Sequence, residues 1–268
     1  MVPLANIVAC VITLLISIAL PIAVLIIFEA KNKKQGIGSA WWLGAAGFFV
    51  TQILIRVPIL SILGSQSWFI AFAQDYPFIY AFGLAFTAGL FELAGRFAIA
   101  MLMKKKLTWK RSLAAGLGHG GIEAMLIIGM TYVNNLIYII MINSGYIDII
   151  ISKAIAAGAD VSQLELVCAQ LISLTPAQFL LAGFERLLAM TCHVAMSALV
   201  CYGVAHKKAG ICALLCLGIH TAIDLTAGIS LLLPQNIAIP VIYAILIVIT
   251  VVSLVILKNL HSRWKKVF

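Results

Sequence analysis

The chain has 268 residues, of which 63% are hydrophobic and 10% charged, with a formal net charge of +9. This excludes an ordinary soluble domain, where about a quarter of residues are charged. Several apolar runs exceed the roughly 18–20 residues that cross a bilayer as a helix, and strand alternation is absent, which makes a β-barrel a poor alternative. The composition indicates an all-α, polytopic transmembrane helical bundle.

Taken in order, seven spans are expected, at about residues 4–28, 37–62, 77–103, 111–141, 176–205, 209–232 and 237–258. Met1 leads almost directly into apolar sequence with no charged leader and no small-residue cleavage pattern, so the first segment is read as a retained span. Of 18 Lys and Arg, three are within spans: Arg56, Arg96 and Arg186. Fourteen fall in four places: Lys31/Lys33/Lys34, Lys104–Lys106 with Lys110 and Arg111, Lys207/Lys208, and the tail Lys258/Arg263/Lys265/Lys266. These are alternate connections plus the C-terminus, and the other connections hold only Lys153. By the positive-inside rule the N-terminus lies outside and the C-terminus in the cytosol. The same bias accounts for the basic charge without a nucleic-acid partner. One integral membrane domain over 1–268 is expected, in the cytoplasmic membrane, with its motif-bearing core at about 77–232.

The first span carries Pro21 and no ionisable residue. In the second, Arg56 precedes Pro58 and reads as a structural arginine pairing with a carboxylate or carbonyl. The third contains Glu92 and Arg96 at i and i+4, able to pair within the helix, with Gly89 and Gly95 permitting close backbone approach. The fourth holds Gly116-Leu117-Gly118-His119-Gly120-Gly121-Ile122-Glu123-Ala124, a histidine and a carboxylate on one face among four glycines. The long connection at about 142–175 carries two short amphipathic patterns, about 147–157 and 162–173, expected on the outer membrane surface. Thr175-Pro176 then supplies a cap and first turn. Glu185, Arg186 and His193 lie in the fifth span, His220 and Asp224 in the sixth. Trp41, Trp42 and Trp68 read as interfacial aromatics, and His261 as a solvated residue of the basic tail.

Depth decides whether these polar residues belong together. Glu92 is 11 residues from Met103, His119 eight from Arg111, His193 12 from Ala205 and His220 11 from Ala209. At about 1.5 Å per residue all four sit roughly 12–18 Å from the cytosolic boundary, near the middle of a core ~30 Å thick. Each histidine alone reads as an interhelical hydrogen-bonding residue; their shared level argues for one site. His119, His193 and His220 suit a divalent metal, zinc above all, with a position left open for water. Glu123 follows His119, and Asp224 follows His220, at the i+4 spacing that lets a carboxylate hold a ring nitrogen. Glu92 is the candidate general base, with Arg96 orienting it. Glu185-Arg186 reads as an internal ion pair or a support for the site; Cys212, Cys216 and His220, at i, i+4 and i+8, could ligate metal, but apolar spans use Cys freely for packing.

These motifs resemble the YhfC-type intramembrane metalloproteases, distant relatives of the type II CAAX-protease and bacteriocin-processing superfamily. The resemblance rests on Phe91-Glu92-x-x-Gly95-Arg96, the glycine-rich run around His119, Phe184-Glu185-Arg186 with His193, and His220-x-x-x-Asp224, over roughly 85–225. It implies that Glu92 activates water with Arg96 as its partner, and that His119, His193 and His220 bind metal or polarise water. Asp224 would help stabilise the oxyanion. The implied activity is hydrolysis, from the cytosolic side, of a peptide bond in a membrane-associated peptide or protein. One departure stands out: the superfamily's first motif has two adjacent glutamates, and Phe91 occupies the place of the first. The alternatives are an ion-coupled transporter using the same buried charges, and a non-catalytic scaffold or immunity-type member.

Overall fold

The computed structural model describes residues 1–33 and 35–264, so Lys34, Lys265 and Lys266 of the charge pattern lie outside the described residues. Among the described residues every element is helical. Seven helices among the described residues are long and apolar enough to cross a membrane: Leu4–Lys31, Ile37–Gly64, Pro77–Leu102, Trp109–Asn143, Pro176–Ala205, Ala209–Leu231 and Gln235–Trp264. Large side chains such as Ile211, Leu214 and Val248 stand exposed on these helices, which is stable only against lipid. The chain is a multi-pass membrane protein.

Local chemistry shapes several spans. The first and second widen to π-helix at Leu15–Ala19 and Phe49–Arg56, just before Pro21 and Pro58. A proline has no N–H for the carbonyl four residues earlier, here Ser17 and Leu54, so the α-register cannot close there. The fifth span begins with the anticipated cap. Thr175 Oγ1 accepts the Gln178 N–H at 3.4 Å, and Gln178 Oε1 accepts the Thr175 N–H at 2.9 Å, a reciprocal capping box. Between the fourth and fifth spans lie the helices Tyr146–Ala156 and Ser162–Ser173, close to the two amphipathic patterns. The last helix continues to Trp264. His261 is thereby half-buried and stacks on Trp109 at 5.2 Å, where the sequence reading had it solvated.

The chain divides into two compact units, one formed by Met1–Ile22 with Ala124–Leu187, the other by Ala23–Glu123 with Leu188–Phe268. In the first, Val2, Cys10, Tyr132, Ile139, Leu171 and Phe179 form an apolar core. Side chains bond to backbone carbonyls of neighbouring segments: Asn6 to Leu174 at 2.6 Å, Thr13 to Phe179 at 2.7 Å and Tyr132 to Phe179 at 3.0 Å. Glu185 and Arg186 form the expected ion pair in this unit.

The second unit is built by close helix approach. A Cβ on Gly118 would lie 1.9 Å from the Trp41 carbonyl oxygen, and one on Gly44 1.9 Å from that of Ala115. The second and fourth spans therefore touch backbone to backbone, as small residues allow in membranes. Trp41 is buried in this contact, whereas Trp42 and Trp68 are exposed. Met196, Ala198, Cys201, Cys216 and Ala100 fill the core below.

Candidate metal and catalytic centre

The second unit gathers the polar residues of four spans. Glycines set the spacing: a Cβ on Gly120 would lie 2.9 Å from the His193 Cβ, and one on Gly116 2.6 Å from the Val194 Cα. A Cβ on Gly89 would lie 3.3 Å from the His220 Cβ. The third and fourth spans thus receive the histidines of the fifth and sixth at van der Waals range. Phe48 packs edge-on against His119, with centroids 5.4 Å apart.

Glu92 is the hub, with only 3% of its surface exposed. Its Oε2 lies 3.0 Å from Arg96 Nη2, 2.9 Å from His119 Nε2 and 2.7 Å from His220 Nε2. His193 Nδ1 stands 3.7 Å from the same oxygen. The other oxygen, Oε1, accepts the Gln52 amide N–H at 2.8 Å. His193 reaches Glu123 Oε2 through Nε2 at 2.7 Å, and His220 Nδ1 lies 3.3 Å from Asp224 Oδ2.

The protons follow from the partners. Arg96 Nη2 can only donate, so His193 Nδ1, 2.5 Å away, must accept. The His193 proton is then on Nε2 and points at Glu123. An ionised Glu92 only accepts, so His119 and His220 each present an Nε2–H to it. Gln52, Arg96, His119 and His220 thus all donate to Glu92, which is how a buried carboxylate is tolerated. Beside the cluster, Gly44, Arg96, Ala115, His119 and Ser197 line a cavity with room for about one water.

One donor atom each from Glu92, His119, Glu123 and His193 all lie within 4.8 Å of one another. Two imidazole nitrogens and two carboxylate oxygens, largely shielded from solvent, are a donor set suited to zinc or a similar divalent ion. His220 sits against Glu92 outside this four-residue set.

Comparison with known proteins agrees. Residues 16–251 match the family described as YhfC intramembrane metalloprotease. The chain belongs to the YhfC intramembrane metalloprotease family. It is 30% identical over 195 residues, 72% of this chain and 73% of the relative, to a Bacillus subtilis (strain 168) protein named "Uncharacterized membrane protein YhfC". No solved structure matches.

In this YhfC-family chain the residues singled out from sequence, Glu92, Arg96, His119, Glu123, His193, His220 and Asp224, are all brought together. Glu185 and Arg186 belong to the other unit. Sequence reasoning missed Gln52, a neutral amide that touches Glu92 directly. The available signal was a lone glutamine inside an apolar span one turn before Arg56. Arg56 itself donates to the Leu84 carbonyl at 2.7 Å, the carbonyl role read for it.

Proposed function

We propose that this protein is an intramembrane peptidase in which Glu92 activates water for hydrolysis of a peptide bond in a membrane-associated peptide or protein. The observation that carries the reading is the convergence of three histidines and Arg96 around one buried carboxylate. His119, His193 and Glu123, with Glu92 bordering them, would hold a divalent ion, zinc by donor type, the ion taking the place of the His193 Nε2 proton and supplying, when bound, Lewis-acid polarisation of a carbonyl. Glu92, the carboxylate at the centre of the cluster, takes the water proton. His220 orients Glu92 and is itself steadied by Asp224; a protonated His220 would also donate to the leaving amine. Arg96 holds Glu92 and His193 in a fixed relation.

Phe91 does not weaken this reading. The histidines converge on position 92, so the carboxylate the chemistry needs is present without a second glutamate before it. The alternate basic connections favour an N-terminus outside, a cytosolic C-terminus and a cytoplasmic-membrane location.

The test is cleavage of candidate membrane substrates by full-length protein in nanodiscs. Glu92→Gln and His119→Ala should each lower the rate by about 10²–10⁴-fold, the usual contribution of a general base. Full activity in Glu92→Gln would sink the assignment. Solute flux in proteoliposomes without peptide cleavage would replace it with the transporter.

A further inference from the structure

The second span has no residue in the catalytic set proposed above, yet it delivers a buried amide to the hub. Gln52 has 5% of its surface exposed and stands in the π-helical stretch Phe49–Arg56. Its Nε2 donates to Glu92 Oε1 at 2.8 Å and lies 3.3 Å from the Ala88 carbonyl oxygen. Its Oε1 accepts from Arg56 Nη1 at 3.3 Å. Arg56 is anchored in turn on the Leu84 carbonyl at 2.7 Å and on Thr87 Oγ1 at 3.4 Å.

These partners fix which way the amide points. A guanidinium only donates, so it must face the Gln52 oxygen; a carboxylate only accepts, so it must face the nitrogen. Two independent neighbours select the same orientation. The π-register supplies the geometry, because Pro58 leaves the Leu54 carbonyl without an α-helical donor and the helix widens where Gln52 and Arg56 emerge. Wider turns of this kind recur at functional sites.

We infer that Gln52 is a positioning residue for Glu92, and that Arg56 locks Gln52 in place. Gln52 holds Oε1, so the carboxylate cannot rotate and Oε2 stays on the side of His119, His193 and His220. An amide does this without adding charge to the site. This deepens the peptidase reading and rests on Glu92 being its central carboxylate.

The test uses full-length protein in nanodiscs, with cobalt(II) as a spectroscopic probe that needs no substrate. Gln52→Met keeps the length and volume but donates nothing; Gln52→Glu keeps the shape but turns an acceptor toward Glu92. Because Glu92 supplies one of the four donor atoms gathered at the site, both variants should weaken cobalt binding by about 10–100-fold, the range for removing a group that orients a metal-site residue. On a cleaved substrate, both should lower kcat with KM little changed. A double-mutant cycle of Gln52→Met with Glu92→Gln, read by unfolding, should show coupling of at least about tenfold in the unfolding equilibrium. If Gln52→Met binds cobalt like the parent, or if the two substitutions simply add, the proposal is overturned. If the parent takes up no cobalt, the metal reading fails separately and the cycle alone decides the role of Gln52.

Discussion

One guanidinium nitrogen, Arg96 Nη2, serves both Glu92 Oε2 at 3.0 Å and His193 Nδ1 at 2.5 Å. Glu92 and Arg96 are both almost fully buried, so neither can fall back on solvent. Arg96→Met should therefore destabilise the protein by about 3–5 kcal/mol, the cost of leaving a buried charge without its partner. The double variant Arg96→Met with Glu92→Met should lose far less than the sum, because it removes the stranded charge as well. Unfolding in mixed micelles measures both, and strict additivity would show that the pair is uncoupled. At this scale the sequence was informative where spacing does the work. Glu92–Arg96 and His220–Asp224 are i, i+4 pairs, and both form. Spacing was silent where the partner sits on another span. Glu123 follows His119 by four residues, yet its Oε2 meets His193, because Gly120 lets the fifth span reach that face.

The helices themselves are placed by glycine and by proline. Gly118 and Gly44 put the second and fourth spans in backbone contact, and His119 is the next residue along. Gly118→Ala would set a Cβ 1.9 Å from the Trp41 oxygen, and backbone cannot move aside as a flexible side chain can. The expected cost is about 1–3 kcal/mol from overpacking, accompanied by weaker metal binding as His119 is carried off position. Gly83→Ala, with nothing within 4 Å of the added carbon, is the matched control and should be close to neutral. Equal losses in the two variants would mean that close approach to the Trp41 carbonyl does not set the cost, because helix propensity alone favours alanine over glycine. Span existence was legible because lipid demands about 20 apolar residues per crossing. Helix winding was not. A π-turn shifts which side chains share a face, and that shift is what brings Gln52 onto Glu92. A reading based on 3.6-residue periodicity passes over such a residue, and an uncharged amide in an apolar span attracts less notice than a charge.

At the scale of the molecule, the depth arithmetic gave the site its level but not its membership. Span boundaries and helix rise set the polar groups of four spans at one expected depth. Which groups share an oxygen depends on how helices rotate and approach, and neither is written in hydropathy. The structure assigns every residue of the centre to the unit formed by Ala23–Glu123 and Leu188–Phe268. That assignment makes a prediction about zinc. A ligand that binds only the folded site stabilises by RT ln(1 + [L]/Kd), about 2.7 kcal/mol at one hundred times Kd. Hydrogen–deuterium exchange should then slow by up to about 100-fold in segments that open with this unit. The effect should be strongest near His119, His193 and the Glu92 turn. Segments of the other unit, such as Tyr146–Ala156 and Ser162–Ser173, should exchange at an unchanged rate wherever their openings are local. A chelator should reverse the protection, and His119→Ala should not show it. Uniform protection along the whole chain would indicate that both units open together, whereas protection retained in His119→Ala would place the metal elsewhere.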